Sequence, residues 1–225
     1  MPWRREVPGG MAPDRSTRLS GTARIEAFSD GVMAIAITLL ILEIRVPPQS
    51  GSLLAGLGRL WPSYLAYLAS FFTIGIIWLN HHAFFGRLRH VDHVLQWWNL
   101  ILLLMVSFLP FPTSVVAEYI RQGSASDARV AVALYGVVGV LMTVPWVFLW
   151  RRLVRRPELF EPPYDADFAR AEGGRSWVGI VVYAACIGVG LLLPVAALAL
   201  YLAVAVFYAV TSQGWSSARA ATPVD

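Results

Sequence analysis

The chain has 225 residues, of which 57% are hydrophobic and 14% charged, against about 25% charged in an ordinary soluble domain. Its 18 basic residues, all Arg, exceed 14 acidic ones, but they flank long uncharged runs instead of forming a basic face, which excludes a nucleic-acid partner. One cysteine, Cys186, leaves no intrachain disulfide framework, and the composition excludes a soluble enzyme in favour of an all-α protein crossing the bilayer several times.

Residues 1–22, rich in Arg, Pro and Gly, hold no apolar core of a cleavable signal and read as a disordered cytoplasmic arm. The first helical element is the least simple. Only 12 uncharged residues separate Asp30 from Glu43, a length that suits a re-entrant segment as readily as a span. Extended over 24–46 it reaches about 35 Å, enough to cross, but carries Arg24, Glu26, Asp30, Glu43 and Arg45 toward membrane depth. Such a helix spans only if protein or water surrounds it.

Later elements are clearer. Uncharged runs of 27 residues between Arg59 and Arg87, 25 between Asp92 and Glu118, and 21 between Arg129 and Arg151 predict spans near 60–85, 94–117 and 130–150. The 43-residue run between Arg175 and Arg219 would reach roughly 64 Å as one helix, about twice the hydrocarbon core. Pro194 divides it into spans near 176–193 and 195–213. Residues 214–225 read as a cytoplasmic tail, and the stretch 151–175 as a connector on the same side. With six spans, one side collects 14 Arg and the other 4, which places both termini in the cytoplasm of a multi-pass cell-membrane protein. Trp61, Trp97, Trp98, Trp146, Trp150 and Trp177 fall near predicted span ends, as an interfacial aromatic belt requires.

Two features of the first helix point beyond packing. Glu26 and Asp30 share a face, whereas Arg24 and Asp30 diverge by about 120° and need partners on other helices. The polar cluster Trp78, Asn80, His81 and His82 on the second span supplies candidates. A plainer reading makes Ser29 or Asp30 a helix cap, with Arg24 reaching to headgroups. Ile35, Thr38 and Leu42 also form a narrow stripe, continued by Gly31 and Arg24. That stripe fits ordinary helix packing, with Thr38 bonded to a carbonyl one turn earlier. It equally fits a pore wall of two apolar rings and one hydroxyl ring, the first gating by dewetting and the second replacing part of an ion's hydration shell.

Arg24-Ile-Glu-Ala-Phe28-Ser29-Asp30, running into Leu42-Glu43-Ile44, resembles the signature of the transmembrane protein 175 family, potassium channels of endosomes and lysosomes with bacterial relatives. The family pattern is Arg, three residues, then Phe-Ser-Asp. Trp78-Leu-Asn80-His81-His82 is similar to the family's second motif. The resemblance implies a single-repeat bacterial form assembling as a homotetramer, with the first helix of each subunit lining a central pore. By that resemblance Ile35, Thr38 and Leu42 would face the pore. Arg24, Phe28, Ser29, Asp30, Trp78, Asn80 and one of His81 and His82 would form motif and network around it. The permeant ion would be K+, without a cofactor or bound metal. Because no Thr-Val-Gly-Tyr-Gly filter loop is present, selectivity over Na+ should be modest.

The rival readings carry less. His81, His82, His90 and His93 sit too close together to ligate a haem from two helices. His90-Val-Asp92-His93 lacks further ligands for zinc or nickel. An ion-coupled transporter would use Glu26, Asp30 or Glu43, but neither repeats nor broken helices are evident. A non-conducting scaffold is the remaining alternative.

Overall fold

The computed structural model describes residues 21–47, 51–163 and 165–211. The predicted arm up to residue 20 and the tail from residue 212 onward lie outside the described residues. Eight α-helices run α1 (Gly21–Leu39), α2 (Leu53–Arg59), α3 (Trp61–Phe85), α4 (His93–Phe108), α5 (Pro110–Gln122), α6 (Ala125–Arg155), α7 (Ala166–Leu192) and α8 (Pro194–Thr211). Among the described residues, five helical segments are long and apolar enough to cross a membrane. They are α1 with its extension, α3, the α4–α5 pair, α6 and α7; α8 is apolar but shorter.

Helix α1 begins at Gly21 and tightens into a 3-10 turn over Leu40–Glu43. Ala23, Ile25, Glu26 and Ala27 present nothing that breaks a helix. Ser29 and Asp30 therefore lie more than two turns inside it, and the capping interpretation does not apply. Pro110, which cannot donate to the preceding turn, separates α4 from α5 within the third uncharged run. The stretch 151–175 is mostly helical, because α6 continues to Arg155 and α7 starts at Ala166. Asp165 accepts from the Asp167 and Phe168 amides at 2.9 and 3.0 Å, capping α7. The pairs Asp167–Arg170 and Glu172–Arg175 then line its first turns at i,i+3 spacing. Pro194, without an amide proton, ends one helix and starts the next.

Helices α6 and α7 form a close antiparallel pair. A methyl group built on Gly139 would sit 2.4 Å from the Tyr183 ring, and one on Gly136 2.4 Å from Ile187 Cγ1, both on α7. Only glycine lets the backbones approach that far. Helix α3 packs against α1, α5 and α8, and α4 against α1 and α6. The main core gathers Met33, Leu40, Ile74, Leu102, Val132 and Tyr201 among others. A second core at the Arg-rich end joins Phe84, Phe85, Leu95, Leu149, Leu153 and Phe160. There the α3–α4 and α6–α7 connections are tied by Arg89 N–H to Leu159 O at 2.9 Å and Glu161 N–H to Arg87 O at 2.8 Å.

Candidate pore helix and its polar anchors

The candidate site is built on α1, whose two faces differ sharply. Ser29, Met33, Ala36 and Leu40 recur at intervals of 4, 3 and 4 and are buried against the bundle. On the opposite face Arg24, Phe28, Gly31, Ile35, Thr38 and Leu42 fall within roughly 80° of one another on an ideal helix. All six are exposed; Phe28 is 56% accessible, Ile35 62% and Leu42 72%. One chain thus covers a single side of this membrane-length helix. Thr38 Oγ1 donates to Ile35 O at 2.9 Å. With its proton held by the helix, the oxygen keeps its lone pairs free to accept.

Three contacts fix the buried side and the flank. Asp30 Oδ1 accepts from Trp78 Nε1 at 2.9 Å, and Trp78 stacks on His82 with ring centroids 6.3 Å apart. Asn99 of α4 donates from Nδ2 to Ser29 Oγ at 3.0 Å, while its Oδ1 lies 2.9 Å from His81 Nε2. An amide oxygen only accepts, so His81 carries a proton on Nε2. His81 and Ser29 are 0% accessible and Asn99 2%, so this relay is closed to solvent, with His81 stacked on Phe85 at 4.3 Å. His81 Nδ1 has no partner among the described residues. His82 stands apart, with Nδ1 at 3.8 Å from Glu26.

The structure thus gathers Ser29, His81 and Asn99 into one cluster and Asp30, Trp78 and His82 into another. Arg24 and Phe28 remain outside both, on the uncovered face, and Arg24 pairs with none of the described residues. Asn80 points elsewhere and lines a cavity bounded by α3, α6, α7 and α8. Asn99 was not singled out by sequence reasoning; its signal is an amide at membrane depth in the 93–117 run, where a partner is obligatory.

Outside the membrane-length helices, Asp92 holds the start of α4. Its carboxylate accepts from the Leu95 amide at 2.9 Å and from Arg152 Nε at 2.8 Å. Burial pushes its carboxyl up, but the Leu95 amide and the Arg152 guanidinium outweigh burial and hold it below its ordinary value. Asp92 is therefore committed to the cap and the ion pair. Among the described residues no three His, Cys, Asp or Glu side chains converge on a point where a metal would sit.

Residues 24–110 match the family model described as endosomal/lysosomal potassium channel TMEM175. A potassium channel of Streptomyces collinus is 42% identical over 207 residues, covering 91% of this chain and 100% of that protein. One from Chamaesiphon minutus is 44% identical over 160 residues, or 68% and 74% of the two chains. The crystal structure of a lysosomal potassium-selective channel TMEM175 homolog from Chamaesiphon minutus superposes with a TM-score of 0.76 at 35% identity, over 85% of this chain and 98% of that one. The α1 and α3 motifs lie inside the matched region, and the likeness extends through the remaining helices. The chain therefore belongs to the TMEM175 family, which is a family of ion channels and not of enzymes.

Proposed function

We propose that this protein is a potassium-permeable cation channel of the cell membrane, conducting passively through a pore at the centre of a homotetramer. The observation that carries the reading is the uncovered face of α1. Apolar Phe28, Ile35 and Leu42 alternate there with Arg24 and the Thr38 hydroxyl on a helix whose other face is fully packed. Four copies brought together on that face supply the missing neighbours and enclose a narrow passage. Ile35 and Leu42 then form apolar constrictions, Thr38 an oxygen ring between them, and K+ is preferred over Na+ only modestly, since no backbone-carbonyl filter exists. Arg24, Phe28, Ser29, Asp30, Trp78, His81 and His82, together with Asn99, hold the pore helix in register; Asn80 contributes from the far side of α3.

Six spans per subunit, with α8 as the sixth, put the 14-Arg side and both termini in the cytoplasm. Names of similar proteins agree with K+ as the permeant ion. The test is the reversal potential of purified protein in a planar bilayer with K+ on one side and Na+ on the other. A potential shifted toward the K+ equilibrium value is expected. Intact tetramer without current, or gradient-coupled saturable uptake in its place, would favour a scaffold or a transporter and overturn the reading.

A further inference from the structure

A second candidate site lies away from the α1 face. At the Arg-rich end of the bundle, α3, α6, α7 and α8 enclose a half-open cavity of about 130 Å³, roughly ten times the space a single water needs. Its floor is apolar, built from Ile76, Met142, Trp146 and Tyr183. Its rim is charged, with Arg87 just past α3 and Glu172 and Arg175 on α7.

The rim charges are unequal. Glu172 pairs with Arg175 at 3.3 Å. Arg87 is half-buried and donates to Ala83 O, with its guanidinium over the Phe168 ring at 5.2 Å from the centroid. Among the described residues it enters no ion pair. The Asn80 amide, on the same wall, has no hydrogen-bond partner among the described residues. Glu172 acts electrostatically on Arg87 while it pairs with Arg175, so two guanidiniums share one carboxylate beside an unused amide, a set that calls for an anion with acceptor oxygens.

We propose that this cavity seats the phosphodiester headgroup of an anionic phospholipid from the surrounding bilayer. Two arginines against one glutamate leave a net single positive charge, which matches a monoanionic phosphodiester better than a phosphate dianion. The apolar floor and the indoles of Trp146 and Trp150 match the glycerol and upper acyl region, and basic pockets between membrane helices take such headgroups. The site is independent of the pore reading, because none of these residues lies on α1.

The test is a native mass-spectrometric titration of the full-length oligomer with dioleoylphosphatidylglycerol or dioleoylphosphatidylcholine, with inorganic phosphate as competitor. The anionic lipid should bind about tenfold more tightly than the zwitterionic one, the scale of one charge-assisted hydrogen bond. Arg87→Gln should bring the two within about twofold, while Arg59→Gln, on the exposed helix α2, changes neither. Ser176→Phe, which fills the cavity mouth without removing a charge, should weaken the anionic lipid in the same way and serves if Arg87→Gln does not fold. Equal binding of the two lipids, or unchanged preference in both variants, would overturn the proposal. Displacement of the lipid by millimolar inorganic phosphate would likewise overturn it and identify a soluble-anion site.

Discussion

Replacing Asn99 by Leu tests whether the closed relay under α1 holds the pore helix in place. The substitution keeps side-chain volume but removes both partners of the amide, Ser29 Oγ at 3.0 Å and His81 Nε2 at 2.9 Å. The two losses are unequal. The Ser29 hydroxyl can turn onto a carbonyl of the preceding turn, so its bond is worth only about 0.6 kcal/mol, the average for interhelical hydrogen bonds in membranes. His81 has no such escape. Its Nδ1 already has no partner among the described residues, and losing Asn99 strands the ring entirely, at about 1–3 kcal/mol for an unsatisfied buried polar group. The sum is about 1.6–3.6 kcal/mol, readable as a lowered midpoint of denaturant unfolding in mixed micelles, followed by tryptophan fluorescence. Because most of the loss belongs to the stranded imidazole, His81→Phe added to Asn99→Leu should recover about half or more of it. A stability of Asn99→Leu within about 0.5 kcal/mol of the parent, or a double variant as unstable as the sum of the two single ones, would refute the relay.

Four further outcomes are expected. Asp92→Asn should cost about 1–2 kcal/mol at neutral pH, because it weakens a helix cap and a charge-assisted pair together. Since the folded carboxyl titrates below its ordinary value near 3.8, that contribution is complete above the ordinary value. It drains as pH falls through the lower folded one, so parent and variant should converge in acid unfolding curves. Gly139→Ala should destabilise by about 1–3 kcal/mol, as overpacking does, because the new methyl meets the Tyr183 ring at 2.4 Å. Gly188→Ala, with nothing within 4 Å, should be neutral or slightly stabilising in the same denaturant unfolding assay. Thr38→Ala should change the K+ to Na+ permeability ratio in bilayers without reducing tetramer; an unchanged ratio removes the hydroxyl ring from ion discrimination.

The uncovered face also gives the Arg24 side chain a role open to measurement in the assembled state. Within one chain it pairs with none of the described residues, although Glu26 and Asp30 lie close by in sequence. Asp30 is instead engaged by Trp78 at 2.9 Å. Arg24 sits on the same stripe as Ile35 and Leu42, so a neighbouring subunit is the natural source of its acceptors in the proposed tetramer. Leaving a guanidinium unpaired within a packed assembly would be strongly unfavourable.

What the sequence by itself determined is the all-α membrane class and the family. Uncharged runs of about 20 residues or more have one stable form in lipid, because every backbone amide must find its partner within the helix. Pro194 marks a chain break for the same reason, since it has no amide proton to give, whereas the division at Pro110 inside the span expected near 94–117 came from the structure. Arg24 with Phe28-Ser29-Asp30, and Trp78 with Asn80-His81-His82, sufficed to identify the family. The placement of the polar side chains was not legible. On a helix that is apolar nearly all round, periodicity hardly distinguishes a buried edge from an open one, so only packing reveals that Met33, Ala36 and Leu40 face the bundle. The separate partners of His81 and His82, and the part played by Asn99, depended on contacts between residues up to 70 positions apart in the chain. Such contacts follow from how α1, α3 and α4 rotate against one another, which side-chain volume across the whole interface decides and no local pattern records.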